Sequence, residues 1–179
     1  MKNQTITINQ QPKTVEEFIK IRNEVAVTPY GGGAMFMLAL KIYTENEELG
    51  RKCLIMSITL SRLNNYNDYY KGYDIAKTDL SRINSQLRQH PYLPKSYIEG
   101  SSPENAYKVE LPYIMKLNSN PHSGNIADGK FKIYIKCSGA DSMRPISLEK
   151  NNKGLWKVKE WSSAIVGIRK PVEIINDDL

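Results

Sequence analysis

Cysteine, histidine and phenylalanine are scarce in this 179-residue chain: two, two and three residues, respectively. Two cysteines, Cys53 and Cys137, are too few for a disulfide framework and do not stand in a metal-ligand spacing. Cys53 falls in a helical pattern and Cys137 closes an alternating one. Both therefore read as small buried apolar residues in a reducing, cytoplasmic setting. The histidines, His90 and His122, lie in loop-like surroundings far apart in the sequence. Neither belongs to a zinc spacing, and no nucleophile elbow is present, so no catalytic residue, metal ligand or cofactor is indicated. No apolar run approaches the roughly 18–20 residues of a membrane span. The opening stretch MKNQTITINQQPKTVEEF contains no apolar core of a secretory leader. Blocks of one charge are missing too: the net charge is +6, but the excess is spread thinly. This allows a mild preference for anionic partners and does not imply a dedicated nucleic-acid surface.

What the chain does have is two kinds of period. Thr14-Val15-Glu16-Glu17 is a capping box, and Val15, Phe18, Ile19, Arg22 and Val25 follow at helical spacing. Pro29-Tyr30-Gly31-Gly32-Gly33 is expected to break that helix and to act as a hinge; it lacks the lysine and Ser/Thr of a P-loop. Ala34 to Tyr43 is apolar on all sides and predicts a buried central helix. A further helix is expected from Asn46 to about Met56, then a polar, tyrosine-rich loop over 61–75. Another helix opens at Thr78-Asp79 and stops at His90-Pro91. From Val109 the period becomes two. Strands are expected over 109–117, with Pro112 marking an edge or bulge, over 130–137, around Ile146 and Leu148, and from Trp156. The phase reversal at Trp161 suggests a bulge near Glu160, and Ala164 to Ile168 reads as more strand. Ile6 and Ile8 suggest a short edge strand.

Helices first and an antiparallel sheet second is the order of a segregated α+β fold, with N-terminal helices packed on a C-terminal curved sheet. The expected organisation is an N-terminal arm over 1–13, one domain over 14–172 and a tail over 173–179.

Two stretches carry a resemblance. One is Pro91-Tyr92-Leu93-Pro94-Lys95-Ser96-Tyr97-Ile98-Glu99-Gly100, with Pro103-Glu104-Asn105 after it. The other is Ser138-Gly139-Ala140-Asp141-Ser142-Met143-Arg144-Pro145-Ile146, followed by Gly154-Leu155-Trp156 and Glu160-Trp161. Together they resemble a family of uncharacterised bacterial proteins over about residues 30 to 171. The resemblance brings no activity with it. The element order also looks like the NTF2-like architecture, in which helices and a concave sheet enclose a pocket; a fold analogy of this kind assigns no function.

Candidate ligand-binding residues are Asp141 and Arg144 at a strand turn, with Glu160, Trp161 and Tyr97 near them; the plainer reading is that Asp141 bonds turn amides and Arg144 pairs with a carboxylate. Lys130, Lys132 and Lys136, with Tyr134 between them and Lys157 and Lys159 beside them, form either a platform for single-stranded nucleic acid or a wetted sheet face. Six tyrosines between Tyr66 and Tyr97 suit either protein contacts or packing of a long loop. The leading reading is a non-enzymatic binding or protein-interaction domain, of an immunity type for example. The alternative is a small-molecule pocket, with or without catalysis, between the central helix and the sheet.

Overall fold

A computed structural model describes residues 2–178. Its main sheet is antiparallel with strand order β1-β4-β5-β6-β7. The strands are β1 (Lys2–Ile8), β4 (Tyr113–Ser119), β5 (Lys130–Ile135), β6 (Arg144–Lys150) and β7 (Trp156–Glu160). Four helices precede β4: α1 (Val15–Val25), α2 (Pro29–Glu45), α3 (Glu47–Ser57) and α4 (Lys77–Gln89). A two-stranded hairpin, β2 (Leu63–Asn64) with β3 (Asp74–Ile75), lies within the tyrosine-rich segment. The fold is α+β, as expected.

Alternation decides which sheet face is buried. Met115, Leu117, Phe131, Ile133, Ile135, Ile146, Leu148, Trp156 and Val158 all point to the core, while Lys116, Lys130, Lys132 and Lys136 stay exposed. The seven residues of β1 pair in full register with β4, from Lys2↔Ser119 to Ile8↔Tyr113. The segment read as part of an arm thus contributes the first edge strand. β7, the other edge, is covered by backbone: Trp156 N–H donates to the Ala26 carbonyl at 2.8 Å and Thr59 N–H to that of Val158 at 2.9 Å.

The buried central helix is longer than the sequence suggests. Thr28 caps it, accepting from Gly31 N–H at 3.0 Å, and Pro29 occupies its first turn, where a missing N–H costs nothing. Gly31-Gly32-Gly33 is therefore helical, and neither a break nor a hinge. The glycines serve close approach instead. A Cβ on Gly32 would stand 2.6 Å from the Trp156 carbonyl oxygen, one on Gly33 2.4 Å from Ile133 Cδ1, and one on Gly31 1.7 Å from the Val25 carbonyl oxygen. Residues 29–43 are buried throughout. Lys41, the one charged residue among them, is held by Glu45 at 2.6 Å and Gln11 at 3.2 Å and lies 4.9 Å from the Tyr113 ring centroid.

Other expectations are corrected at element ends. The strand predicted over 109–117 starts only at Tyr113, after the proline that cannot donate to the ladder, and Leu111 is half exposed. Ala164 to Ile168 is not strand: residues 162–165 form a 3-10 turn and the chain then runs on irregularly. The expected bulge is present, since Ser147 pairs with Glu160 but Leu148 with Val158, leaving Lys159 as the extra residue on β7. Of the capping box expected at Thr14, the threonine half forms. Glu17 N–H donates to Thr14 Oγ1 at 3.2 Å, while the Glu17 carboxylate accepts from Lys13 N–H, one residue earlier than the standard box.

Candidate binding surfaces

Four of the five residues predicted as a site meet around one segment, 161–169. Arg144, at the start of β6, donates from Nη1 to the Val166 carbonyl at 2.7 Å and from Nη2 to the Gly167 carbonyl at 2.9 Å. The Tyr97 hydroxyl donates to the Ala164 carbonyl at 2.5 Å, and burial pushes its ionisation well above the usual tyrosine range. The Trp161 ring is buried 5.5 Å from Phe36, with the Arg62 guanidinium 5.0 Å from its centroid. Glu160 accepts from Arg62 at 3.4 Å. Asp141, exposed, pairs with Arg169 at the end of that segment at 2.6 Å. The Tyr107 hydroxyl, which sequence reasoning passed over, donates to the Arg169 carbonyl, and Arg169 N–H donates to that of Gly139 at 3.0 Å. Arg144, Tyr97 and Tyr107 thus bind the carbonyls of a segment that has no ladder of its own, as buried backbone requires.

The remaining sequence candidates are dispersed. Phe36, Leu40 and Trp156 are all buried, and α2 lies against the sheet at the glycine contacts above, so side chains fill the space between them. On the outer sheet face, Lys136 meets Glu99 at 3.2 Å and Lys159 meets Glu149 at 2.5 Å. His90 lies 3.2 Å from the Tyr92 hydroxyl, and His122 is exposed in a turn. Both cysteines are buried thiols; burial pushes Cys53 up to about 12. Among the described residues, no group of three or more His, Cys, Asp or Glu side chains is placed to hold a metal ion, and no helix is long and apolar enough to cross a membrane.

The tyrosine-rich segment is where the sequence saw least and the structure builds most. The Arg51 guanidinium on α3 binds both carboxylate oxygens of Asp74, at 3.0 and 2.6 Å, and lies 4.0 Å from the Tyr69 ring centroid. Asp74 is buried, and its carboxylate also caps Ile75 N–H at 2.8 Å. At the tip, Tyr70 and Tyr73 exchange backbone hydrogen bonds, and the Asp68 carboxylate accepts from Gly72 N–H at 2.6 Å. An ion pair that is bidentate and largely buried holds both members in one geometry, so the hairpin is a fixed projection rather than a loose loop.

Two clefts flank this hairpin. The first, about 580 Å³, is lined by Arg51, Asn64, Tyr66, Ile75 and Leu80 among others. Tyr66 at its rim is 96% exposed. Asn64 donates from Nδ2 to the Ile75 carbonyl at 3.3 Å, while its buried Oδ1 meets no donor. The second, about 320 Å³, lies between α1, α3, the hairpin tip and the β6–β7 turn, and Arg22, Lys71, Lys153 and Lys157 line it. Burial lowers Arg22 from its ordinary value. It lowers Lys157 to about 8, with Arg22 and Lys153 adding to the shift.

These features describe a small α+β domain with a close-packed interior and open clefts on one flank. The chain belongs to the family described as a domain of unknown function, DUF6935, whose model matches residues 10–172. No curated protein and no solved structure matches it.

Proposed function

We propose that this domain is a non-enzymatic binding module that recognises a protein partner through the Tyr66 side of the β2–β3 hairpin. The observation that carries this reading is a tyrosine ring 96% exposed on a hairpin that a buried ion pair holds still. An aromatic ring displayed on a rigid element loses little entropy on binding and buries much area, which is why tyrosine is enriched among residues that dominate interface energies. The adjoining cleft supplies an apolar wall from Ile75 and Leu80, and Asn64 Oδ1 offers a buried acceptor still to be met. By contrast, Tyr97 and Arg144 already spend their polar atoms on backbone carbonyls. A partner-neutralising role of immunity type is one form that such a module takes.

The test is comparative capture from the native host with the intact chain, Tyr66→Ala, Leu80→Asp and Lys132→Glu as baits. Lys132 sits on the outer sheet face, away from the hairpin. The expected result is a protein retained by the intact chain and Lys132→Glu, and bound roughly tenfold or more weakly by the other two. If no captured protein distinguishes Tyr66→Ala and Leu80→Asp from the intact chain, the reading fails.

A further inference from the structure

The second cleft collects positive charge without a counter-charge. Arg22 comes from the last turn of α1, Lys157 from β7, Lys153 from the β6–β7 turn and Lys71 from the hairpin tip. None of the four has a carboxylate partner, and no carboxylate lines the cleft among the described residues. The guanidinium of Arg22 has only the amide oxygen of its neighbour Asn23, at 3.0 and 3.2 Å. Glu149, the residue opposite Lys157 in the sheet register, is already bound to Lys159 at 2.5 Å and Thr59 at 3.4 Å. Between the cations the walls are apolar: Ile19, Ile55, Met56 and Leu155.

We propose that this cleft binds a small organic anion, with its carboxylate or phosphate head between Arg22 and Lys157 and an apolar body against Ile55, Met56 and Leu155. Partly buried like charges repel and are poorly solvated, so an anion that enters relieves both penalties at once. The apolar walls select against bare inorganic ions, because they reward a ligand that removes hydrocarbon from water. The volume lies at the small end of the range for small-molecule sites, which suits a short aliphatic or aromatic body. This inference does not rest on the partner reading, since the two clefts share no lining residue.

Protonation follows from the same geometry. The titratable and charged groups around Lys157 are Arg22 from α1, Lys153 from the turn, Glu149 from β6, whose carboxylate is bound to Lys159, and, lining the same cleft, Lys71, Tyr70 and Tyr73 from the hairpin; α3 brings only Ile55 and Met56. An arriving anion favours charged Lys157, so binding near pH 8 takes up protons, and affinity falls as the pH rises beyond that.

The experiment is calorimetric titration of the intact chain with octanoate, octyl phosphate, 1-octanol and octylammonium, in two buffers of different ionisation enthalpy. The two anions bind, their ranking identifies the preferred head group, and the neutral and cationic analogues bind roughly tenfold more weakly or not at all. Proton uptake accompanies anion binding near pH 8 and vanishes near pH 6. Arg22→Met and Lys157→Met each lower anion affinity by roughly tenfold. Exposed Lys153→Glu, which places no demand on folding, lowers it as well, and Lys132→Met leaves it unchanged. Equal binding of octanol and octanoate, no anion binding up to about 10 mM, or full affinity in Lys153→Glu and Arg22→Met would overturn the proposal.

Discussion

Gly32 lies against Trp156 so closely that a Cβ on Gly32 would come within 2.6 Å of the Trp156 carbonyl oxygen and 2.9 Å of its Cβ. The central helix is therefore seated on the last strand by the absence of a side chain. Gly32→Ala gains about 1 kcal/mol in helix propensity but must push apart a helix and a strand whose backbones are both fixed. It is expected to destabilise the fold by about 2–4 kcal/mol. Gly33→Ala meets only the end of the Ile133 side chain, which can turn away, so its cost is expected to stay below about 1 kcal/mol. Urea unfolding of the two variants separates them. Equal effects would mean that the glycines do not act through close approach.

Arg51 and Asp74 give a second prediction. Removing one member of a buried pair leaves the other charged and unsatisfied. Asp74→Ala is expected to cost about 3 kcal/mol and to raise amide exchange selectively across 63–75. Uniform exchange over the whole chain, with no extra opening of the hairpin, would show that the pair does not hold the hairpin in place.

Arg144 gives a third. Its two bonds to the carbonyls of Val166 and Gly167 anchor a segment with few other backbone partners. Arg144→Met is expected to cost about 1–2 kcal/mol at this partly exposed site and to speed proteolytic cleavage within 165–172. Unchanged cleavage there would mean that the Tyr97 and Tyr107 hydroxyls suffice alone.

Lys157 sets a pH dependence. Its folded value, about 8, lies below the ordinary lysine value of about 10.4. The folded state therefore releases this proton earlier than the unfolded state. The penalty is fully developed below about pH 8, shrinks as the pH rises, and is gone above the unfolded value. Stability is expected to rise between about pH 8 and 10, and Lys157→Met is expected to add about 1–2 kcal/mol at pH 7 and to flatten that rise. Thermal melts of both proteins across this range decide it. A Lys157→Met protein that is less stable at pH 7 would contradict the assigned burial.

Much of the frame was legible because it is local. The Thr14 cap, the all-round apolarity of 34–43 and the alternation of Phe131, Ile133 and Ile135 are each encoded within one or two turns of chain. The bulge could be anticipated because Trp161 breaks the phase set by Trp156 and Val158. Gly31 to Gly33 misled because glycine carries two messages, conformational freedom and close approach, and only the neighbours tell which applies. The stretch from Ala164 looked like strand because its residues suit one, yet no strand edge was left to pair with: the free edge of β7 was already taken by Ala26 and Thr59. Asp141, Arg144, Glu160, Trp161 and Tyr97 were expected as a ligand site near one strand turn, but sequence proximity says nothing of where a guanidinium points. Tyr107 was missed because its partner lies 62 residues further on.

Residue order alone specified the periods, the caps and the oily helix, because each depends on neighbours a few positions away. It also supplied every cation now found in the second cleft, with no sign that they belong together. Folding decided which charges stand alone. Arg22, Lys71 and the neighbouring Lys153 and Lys157 arrive from three separate stretches, while Glu149 is drawn to Lys159. A carboxylate neutralises only what lies within a few ångströms of it, and those distances exist only once the helices have settled on the sheet.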